Sequence, residues 1–274
     1  MNQQYNAKMS MPVASQNSID NVIKTAEAPF KAIISTTLFD VCFERECYYL
    51  RTLAMKNWNE TSNNYNYAIA SCTPASIQLA LISCAHTGLS LNPILKQAYL
   101  VPRHNSKSKQ VDCTLVISWR GLIQIGVQQN VIKYATPVLV YETDLIDFQY
   151  NGPHEKPYHP HDPFNSQRGR VVGGYCITIL ASGDTLCTTL SQDDFDKIRP
   201  THGSVWDSNE EAMMKKSLIR HAFNSWPLTI NLKHNDYSEG LTLGDGEFDQ
   251  YIPHNDESLQ NPVTINQNHN YTSD

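Results

Sequence analysis

The chain has 274 residues, 41% of them apolar, and a formal net charge of −6, which allows one large domain or two small ones around a real core. No apolar run approaches the roughly 18 residues a membrane helix needs, and no charged-then-apolar leader opens the chain, so a cytoplasmic protein is expected. Seven cysteines, none in a CxxC pair and several inside apolar runs (Cys84, Cys113, Cys176, Cys187), read as reduced, buried thiols rather than a disulfide frame or a zinc site.

Residues 1–18 are polar and rich in Met, Gln, Asn and Ser, the composition of a disordered segment. From Ser18 to about Met55, apolar residues recur at helical spacing (Ile19, Val22, Ile23, Ile33, Ile34, Leu38, Val41, Leu50, Leu53), and Pro29 is predicted to break this stretch into two core-packing helices. Residues 57–67 read as a polar linker. Thr73-Pro74 then opens the clearest helix, with Thr73 as cap and Pro74 in the first turn, where an amide is unpaired anyway. Ile77, Ala80, Leu81 and Cys84 form its apolar stripe, and Gly88 supplies a left-handed stop.

Charge concentrates beyond this helix. Between Lys96 and Val140, six Lys and Arg (Lys96, Arg103, Lys107, Lys109, Arg120, Lys133) stand against one acid, Asp112. Strands over 97–103 and 110–118 are joined by a basic loop, 104–109. Val111, Cys113, Leu115 and Ile117 alternate, which buries one face of the hairpin and frees the other. Trp119-Arg120-Gly121 leads into a short apolar helix over 122–129. A Trp at a strand end is as readily a core residue as a stacking platform, but Arg120 at a helix start tips the reading toward phosphate. The hairpin therefore reads as the floor of a groove for a phosphate backbone, with Tyr99 and Trp119 as flat faces.

Further strands are predicted over 131–141 and 147–150, with a turn at 142–144. Residues 152–169 form a Pro/His-rich loop, read as a flap over the groove. A hairpin over 170–181 and 184–190 comes next, then a helix opened by the capping pattern Ser191-Gln192-Asp193-Asp194. A turn at 201–207 carries Trp206. The last strong helix, capped by Asp207 or Ser208, has Glu210 and Glu211 in its first turn and runs to Pro227. Met214, Leu218 and Ala222 share one face, and Lys216 and Arg220, four apart, share another. After Lys233 there are eight Asp and Glu and no Lys or Arg, so residues 1–234 hold 21 basic against 19 acidic residues. The overall negative charge hides a mildly basic body with an acidic tail.

No strong catalytic motif is present: no GxSxG, no GxxxxGK[ST] and no HExxH. The best enzymatic candidate is the cluster His154, His159, His161 and Asp162, which suits a divalent metal that activates water in a nuclease; a polar exposed loop is the plainer reading. The cations are more persuasive as a set: Lys96, Arg103, Lys107, Lys109 and Arg120, then Lys215, Lys216 and Arg220, with Tyr99, Trp119 and Trp206 as rings. Phosphate contacts mixed with stacking are what sequence-independent single-strand binding needs. A third reading is an assembly protein whose basic groove has nothing to do with DNA.

The segments CAHTGLSLNPILKQAYLVP, ISWRGLIQIG, VYETD and WDSNEEAMMKKSLIRHAF, in that order over roughly 75–235, resemble the RecT family of phage and prophage single-strand annealing proteins. Arg120 stands where the family's Gly-Tyr-Lys-Gly has Lys, and Trp119 where it has Tyr; Lys215, Lys216 and Arg220 match the basic positions of its late helix. The resemblance implies ATP-independent binding of single-stranded DNA, annealing of complementary strands in recombination, and rings or helical filaments on DNA. It also implies a 5′-to-3′ exonuclease and a host single-strand-binding protein as partners, with the C-terminal region used for protein contacts. No catalytic residue and no cofactor is expected, and dependence on Mg²⁺ is left open. The expected fold is α+β, an antiparallel hairpin-linked sheet flanked by helices: a disordered N-terminus (1–18), an annealing core (19–233) and an acidic flexible tail (234–274).

Overall fold

The computed structural model describes residues 11–60, 68–105, 108–162, 164–199 and 205–227. Helices α1 (Val13–Ile34), α2 (Phe43–Glu60) and α3 (Pro74–Thr87) lead into a two-stranded antiparallel hairpin, β1 (Ala98–Asn105) and β2 (Gln110–Ile117). Helix α4 (Trp119–Gln128) connects it to a second antiparallel sheet of β3 (Ile132–Tyr141), β4 (Val171–Leu180) and β5 (Thr185–Ser191), ordered β3-β4-β5. Helices α5 (Gln192–Ile198) and α6 (Val205–Ser225) complete the described chain. This is the α+β class expected. Residues 1–10, the 61–67 part of the linker and the acidic tail lie outside the described residues.

Two N-terminal expectations change. Helix α1 begins at Val13, inside the stretch expected to lack structure, and Gln16 ties its start to the Met11 carbonyl at 2.7 Å. The helix also continues through Pro29 instead of breaking there. Proline removes the amide that would bond the Thr25 carbonyl, and the Gln78 side chain from α3 donates to that oxygen at 3.3 Å. Ala26 and Phe30 on either side are fully buried, so packing holds the helix across the defect. The chain turns later, where the hydroxyls of Ser35, Thr36 and Thr37 return to the carbonyls of Ala32, Ile33 and Ile34.

One face of the second sheet (Ala135, Leu139, Cys176, Leu190) joins the main core, and the other (Val140, Tyr175, Ile177, Cys187) forms a separate apolar cluster. Helix α6 lies on the first face. Leu218 sits over Gly174, where a Cβ would come within 2.7 Å of its Cδ1, and the Trp226 indole N–H donates to the Thr178 hydroxyl at 3.0 Å. Eight helical residues rise about 12 Å and four strand residues about 13 Å, so α6 runs along β4. All seven cysteines are free thiols, and six of them are buried.

Strand register also explains two prolines. Cys113 sends its amide outward, to the Ser76 hydroxyl at 2.8 Å, so its cross-strand partner Pro102 also faces its nitrogen away from the pair. Cys187 sends its amide outward to the Pro153 carbonyl at 2.6 Å, and the same parity turns the nitrogen of Pro137 away from β4. Each of β1 and β3 thus carries, on its outer edge, a residue with no amide to offer another strand. The strand predicted at 147–150 reduces to one bridge, Gln149 with Tyr158, because residues Glu142–Ile146 turn as a 3-10 helix once the Asp144 carboxylate accepts the Tyr141 amide.

Candidate nucleic-acid interface

The hairpin divides its residues by parity. Ala98 and Leu100, opposite Ile117 and Leu115, face the main core; Tyr99 and Arg103, opposite Val116 and Asp112, are on the other face. Helix α3 covers the free edge of β2. The Thr73 amide donates to the Val111 carbonyl at 2.9 Å, and the Thr73 hydroxyl, which caps no amide, donates to Asp112 at 2.7 Å. The Asn105 amide adds a second donor to Asp112 at 3.0 Å. The Thr73 hydroxyl and then Asn105 lower the pKa of Asp112, so the one acid of the basic stretch is held by neutral donors.

The root of the hairpin is a knotted backbone. The Ser118 amide donates to the Gln97 carbonyl at 2.9 Å, its hydroxyl donates to the Lys96 carbonyl, and the Gly121 amide donates to the Ser118 oxygen at 3.1 Å, capping α4. Gly121 is needed there: a Cβ would lie 2.3 Å from the Gln97 oxygen. Trp119 and Arg120 therefore belong to the first turn of α4 rather than to a lead-in. This closure brings Lys96, Trp119 and Arg120 to one junction. The Arg120 guanidinium lies 4.6 Å from the centre of the Trp119 ring. Trp119 is half-buried against the core and Arg120 is exposed, so the indole serves both the core and the cation.

Two of the three described non-glycine residues with positive φ are lysines of this region, Lys96 (52°) and Lys109 (57°). A left-handed backbone costs an ordinary residue roughly 1–2 kcal/mol. Turn hydrogen bonds from the Lys96 amide to the Asn92 carbonyl (3.2 Å) and from the Lys109 amide to the Asn105 carbonyl (2.8 Å) hold these conformations and place one lysine just before β1 and the other just before β2. Lys107 lies outside the described residues.

Ion pairing is unevenly distributed among the described cations. Elsewhere Lys31, Arg45, Arg51, Arg168, Arg170, Lys197, Arg199 and Lys215 all pair with carboxylates. Among the described residues, Lys24, Lys96, Lys109, Arg120, Lys133 and Lys156 make no ion pair. Four of these lie on the hairpin, α4 and the start of β3.

A match to the RecT family model covers residues 52–247. The chain belongs to the RecT family. A curated relative, Protein RecT of Escherichia coli strain K12, is 27% identical over 185 residues, which cover 64% of this chain and 68% of that protein. This is a recombination and annealing protein.

The late-helix cations Lys215, Lys216 and Arg220 sit apart from the hairpin. Helix α6 packs against α4 and the second sheet, and Trp226 rests on Gly126 near the far end of α4 from Arg120. Lys215 is exposed and 4.0 Å from Glu211, while Lys216 and Arg220 are half-buried on a shared face. Trp206, expected in a turn with its ring available, is instead helical and only 1% exposed. Its indole is core: α6 starts earlier than expected, with a kink at Asn209, and the ring is drawn into the apolar cluster.

The Pro/His loop is not a flap over the basic groove. It covers the second sheet's other face, where Phe148 packs beside Tyr175. Its anchor is a buried polar knot that no sequence motif announces. Asp144 accepts two bonds from Arg168, the Tyr141 amide, and His159 Nε2 at 3.2 Å. Because the carboxylate only accepts, Nε2 carries the proton and Nδ1 accepts the Tyr175 hydroxyl at 3.0 Å. Burial alone would raise the pKa of Asp144, but Arg168, the Tyr141 amide and His159 outweigh it and bring it down to about 2. Burial also lowers the pKa of His159, against the pull of Asp144. Arg168 stacks 4.2 Å from the centre of the Tyr141 ring. His159 is thus committed to its neighbours, His161 stacks on it and His154 is exposed. Among the described residues no group of three His, Cys, Asp or Glu could hold a metal.

Proposed function

We propose that this protein binds single-stranded DNA along its phosphate backbone and anneals complementary strands without ATP, working as an oligomer on DNA. The observation that carries this reading is the concentration, at the hairpin–α4 junction around the Trp119–Arg120 stack, of cations that form no ion pair among the described residues. Such a junction holds a strand by phosphate charge and by sequence-tolerant stacking, which leaves base edges open to test a partner. Lys96, Tyr99, Arg103, Lys107, Lys109, Trp119 and Arg120 form the primary contact. Lys215, Lys216 and Arg220 on α6 serve a more distant stretch of strand, and weak contacts multiply along an oligomer. Membership of the RecT family supports the same reading. A 5′-to-3′ exonuclease that makes the single strand and a host single-strand-binding protein are the partners this activity calls for.

The test is annealing of two complementary labelled oligonucleotides with and without ATP, Mg²⁺ and added salt. Annealing without ATP and with intact strands is expected, and each neutralised phosphate should contribute about −0.7 to the log–log salt slope. Strand cleavage would favour a nuclease, and salt-insensitive binding would remove the basic junction from the mechanism.

A further inference from the structure

We propose that the acidic tail of this chain occupies the Lys96–Trp119–Arg120 junction when DNA is absent, so that single strands must displace it. This inference rests on the reading of that junction as the DNA site.

Three observations point to the tail as occupant. The first is charge complementarity: after Lys233 the chain has eight carboxylates and no Lys or Arg, while the junction holds cations without ion pairs among the described residues. The second is chemical form. The segment from Asp245 to Glu257 reads DGEFDQYIPHNDE, with Phe248 between Glu247 and Asp249, and Tyr251 two residues on. Anions alternating with flat rings repeat the phosphate–base alternation of a single strand, so groups that bind one suit the other: Arg120 for the carboxylates, the Trp119–Arg120 stack for the rings. The third is reach. The described body ends at Pro227, 18 residues before Asp245. Eighteen residues span up to roughly 60 Å, while a body of this size has a radius of gyration of about 17 Å. Being tethered, the tail competes at high effective concentration although each contact is weak.

The tail thereby acts as a selectivity filter. A long single strand engaging several protomers displaces it, and short or isolated anions do not. Screening weakens the tail and the DNA alike, so the competition is sharpest at low salt.

The experiment uses the full chain. A variant with Asp245→Asn, Glu247→Gln, Asp249→Asn, Asp256→Asn and Glu257→Gln keeps the length and the body. Its affinity for a labelled thymidine 30-mer should exceed the parent's by about three- to tenfold at low salt, converging as salt rises. A labelled synthetic peptide of residues 234–274 should bind this variant, be displaced by the 30-mer, and lose binding on further Arg120→Ala substitution. Equal 30-mer affinity in parent and variant, or a peptide that fails to bind while the 30-mer binds, overturns the proposal. If the peptide binds through Arg120 and the 30-mer does not bind at all, the DNA reading fails while the tail contact stands. A fluorinated phenylalanine at 248 would locate the ring directly: its signal should shift on Trp119→Ala, and an unchanged signal counts against docking at this junction.

Discussion

The hairpin–α4 junction and the knot beneath the second sheet are built from the same kinds of side chain. Each has an arginine stacked on an aromatic ring, Arg120 on Trp119 at 4.6 Å and Arg168 on Tyr141 at 4.2 Å. What differs is the carboxylate. Asp144, its side chain 2% exposed, takes both bonds of Arg168 and satisfies it inside the protein. No carboxylate among the described residues pairs with Arg120. Arg168 closes a loop over an apolar face, whereas Arg120 has, among the described residues, only the Trp119 ring beside it, the arrangement that the proposed binding of an external anion requires. A basic residue's role depends on whether the fold supplies its counter-ion.

The sharpest way to break this contrast is to remove the counter-ion. Asp144→Ala leaves Arg168 half-buried and uncompensated, and should lower unfolding stability by about 3–5 kcal/mol, read as a shift of the urea midpoint. Single-strand affinity of the molecules that stay folded should not change. A loss below about 1 kcal/mol would mean that the knot does not hold the loop. The next effect is steric. Gly121→Ala puts a Cβ 2.3 Å from the Gln97 oxygen and must part α4 from the hairpin. It should destabilise by about 1–3 kcal/mol and weaken oligonucleotide binding with every charge still in place, so unaltered binding would separate Arg120 from the hairpin's geometry.

The two regions were not equally legible in the sequence. The hairpin, its basic loop and the Gly88 stop are local features, and strand alternation with turn residues specified them. Trp119 and Arg120 are adjacent in the chain, so their stack needed no tertiary information. The knot joins Tyr141, Asp144, His159, Arg168 and Tyr175 through a loop and two strands, and no spacing rule connects them. His159 drew notice as a metal ligand because its partners lie fifteen and sixteen residues away. Trp206 misled because aromatic residues serve cores and stacking equally, and only packing distinguishes the uses. Pro29 misled because the rule that proline ends a helix ignores a neighbour, Gln78, able to occupy the freed carbonyl.

At the junction itself, Arg120→Ala should weaken single-strand binding about tenfold, equivalent to about 1.4 kcal/mol, and leave the urea midpoint within about 0.5 kcal/mol of the parent. Arg120→Lys divides the effect. It keeps the phosphate charge, so the salt slope should hold, while the flat stack on Trp119 is lost and affinity falls partway. If Lys restores full affinity, the cation acts as a point charge and the ring contributes nothing.

The smallest effect belongs to the knot's histidine and depends on pH. His159 titrates below its ordinary 6.5 because it is buried, and protonation at Nδ1 would also break the bond from Tyr175. The unfolded chain then binds more protons than the folded one as pH falls below 6.5, so stability should decline from there down to the lowered folded value. Asp144 acts lower: its contribution is fully present above the ordinary 3.8 and is lost as pH falls toward about 2. His159→Gln keeps a donor for Asp144 and an acceptor for Tyr175 but cannot take up a proton. Its urea midpoint should fall less steeply than the parent's below pH 6.5, and the two should converge in slope once only carboxylates titrate. Equal slopes throughout would show that the imidazole's proton is not coupled to folding, and the knot would then rest on Asp144 and Arg168 alone.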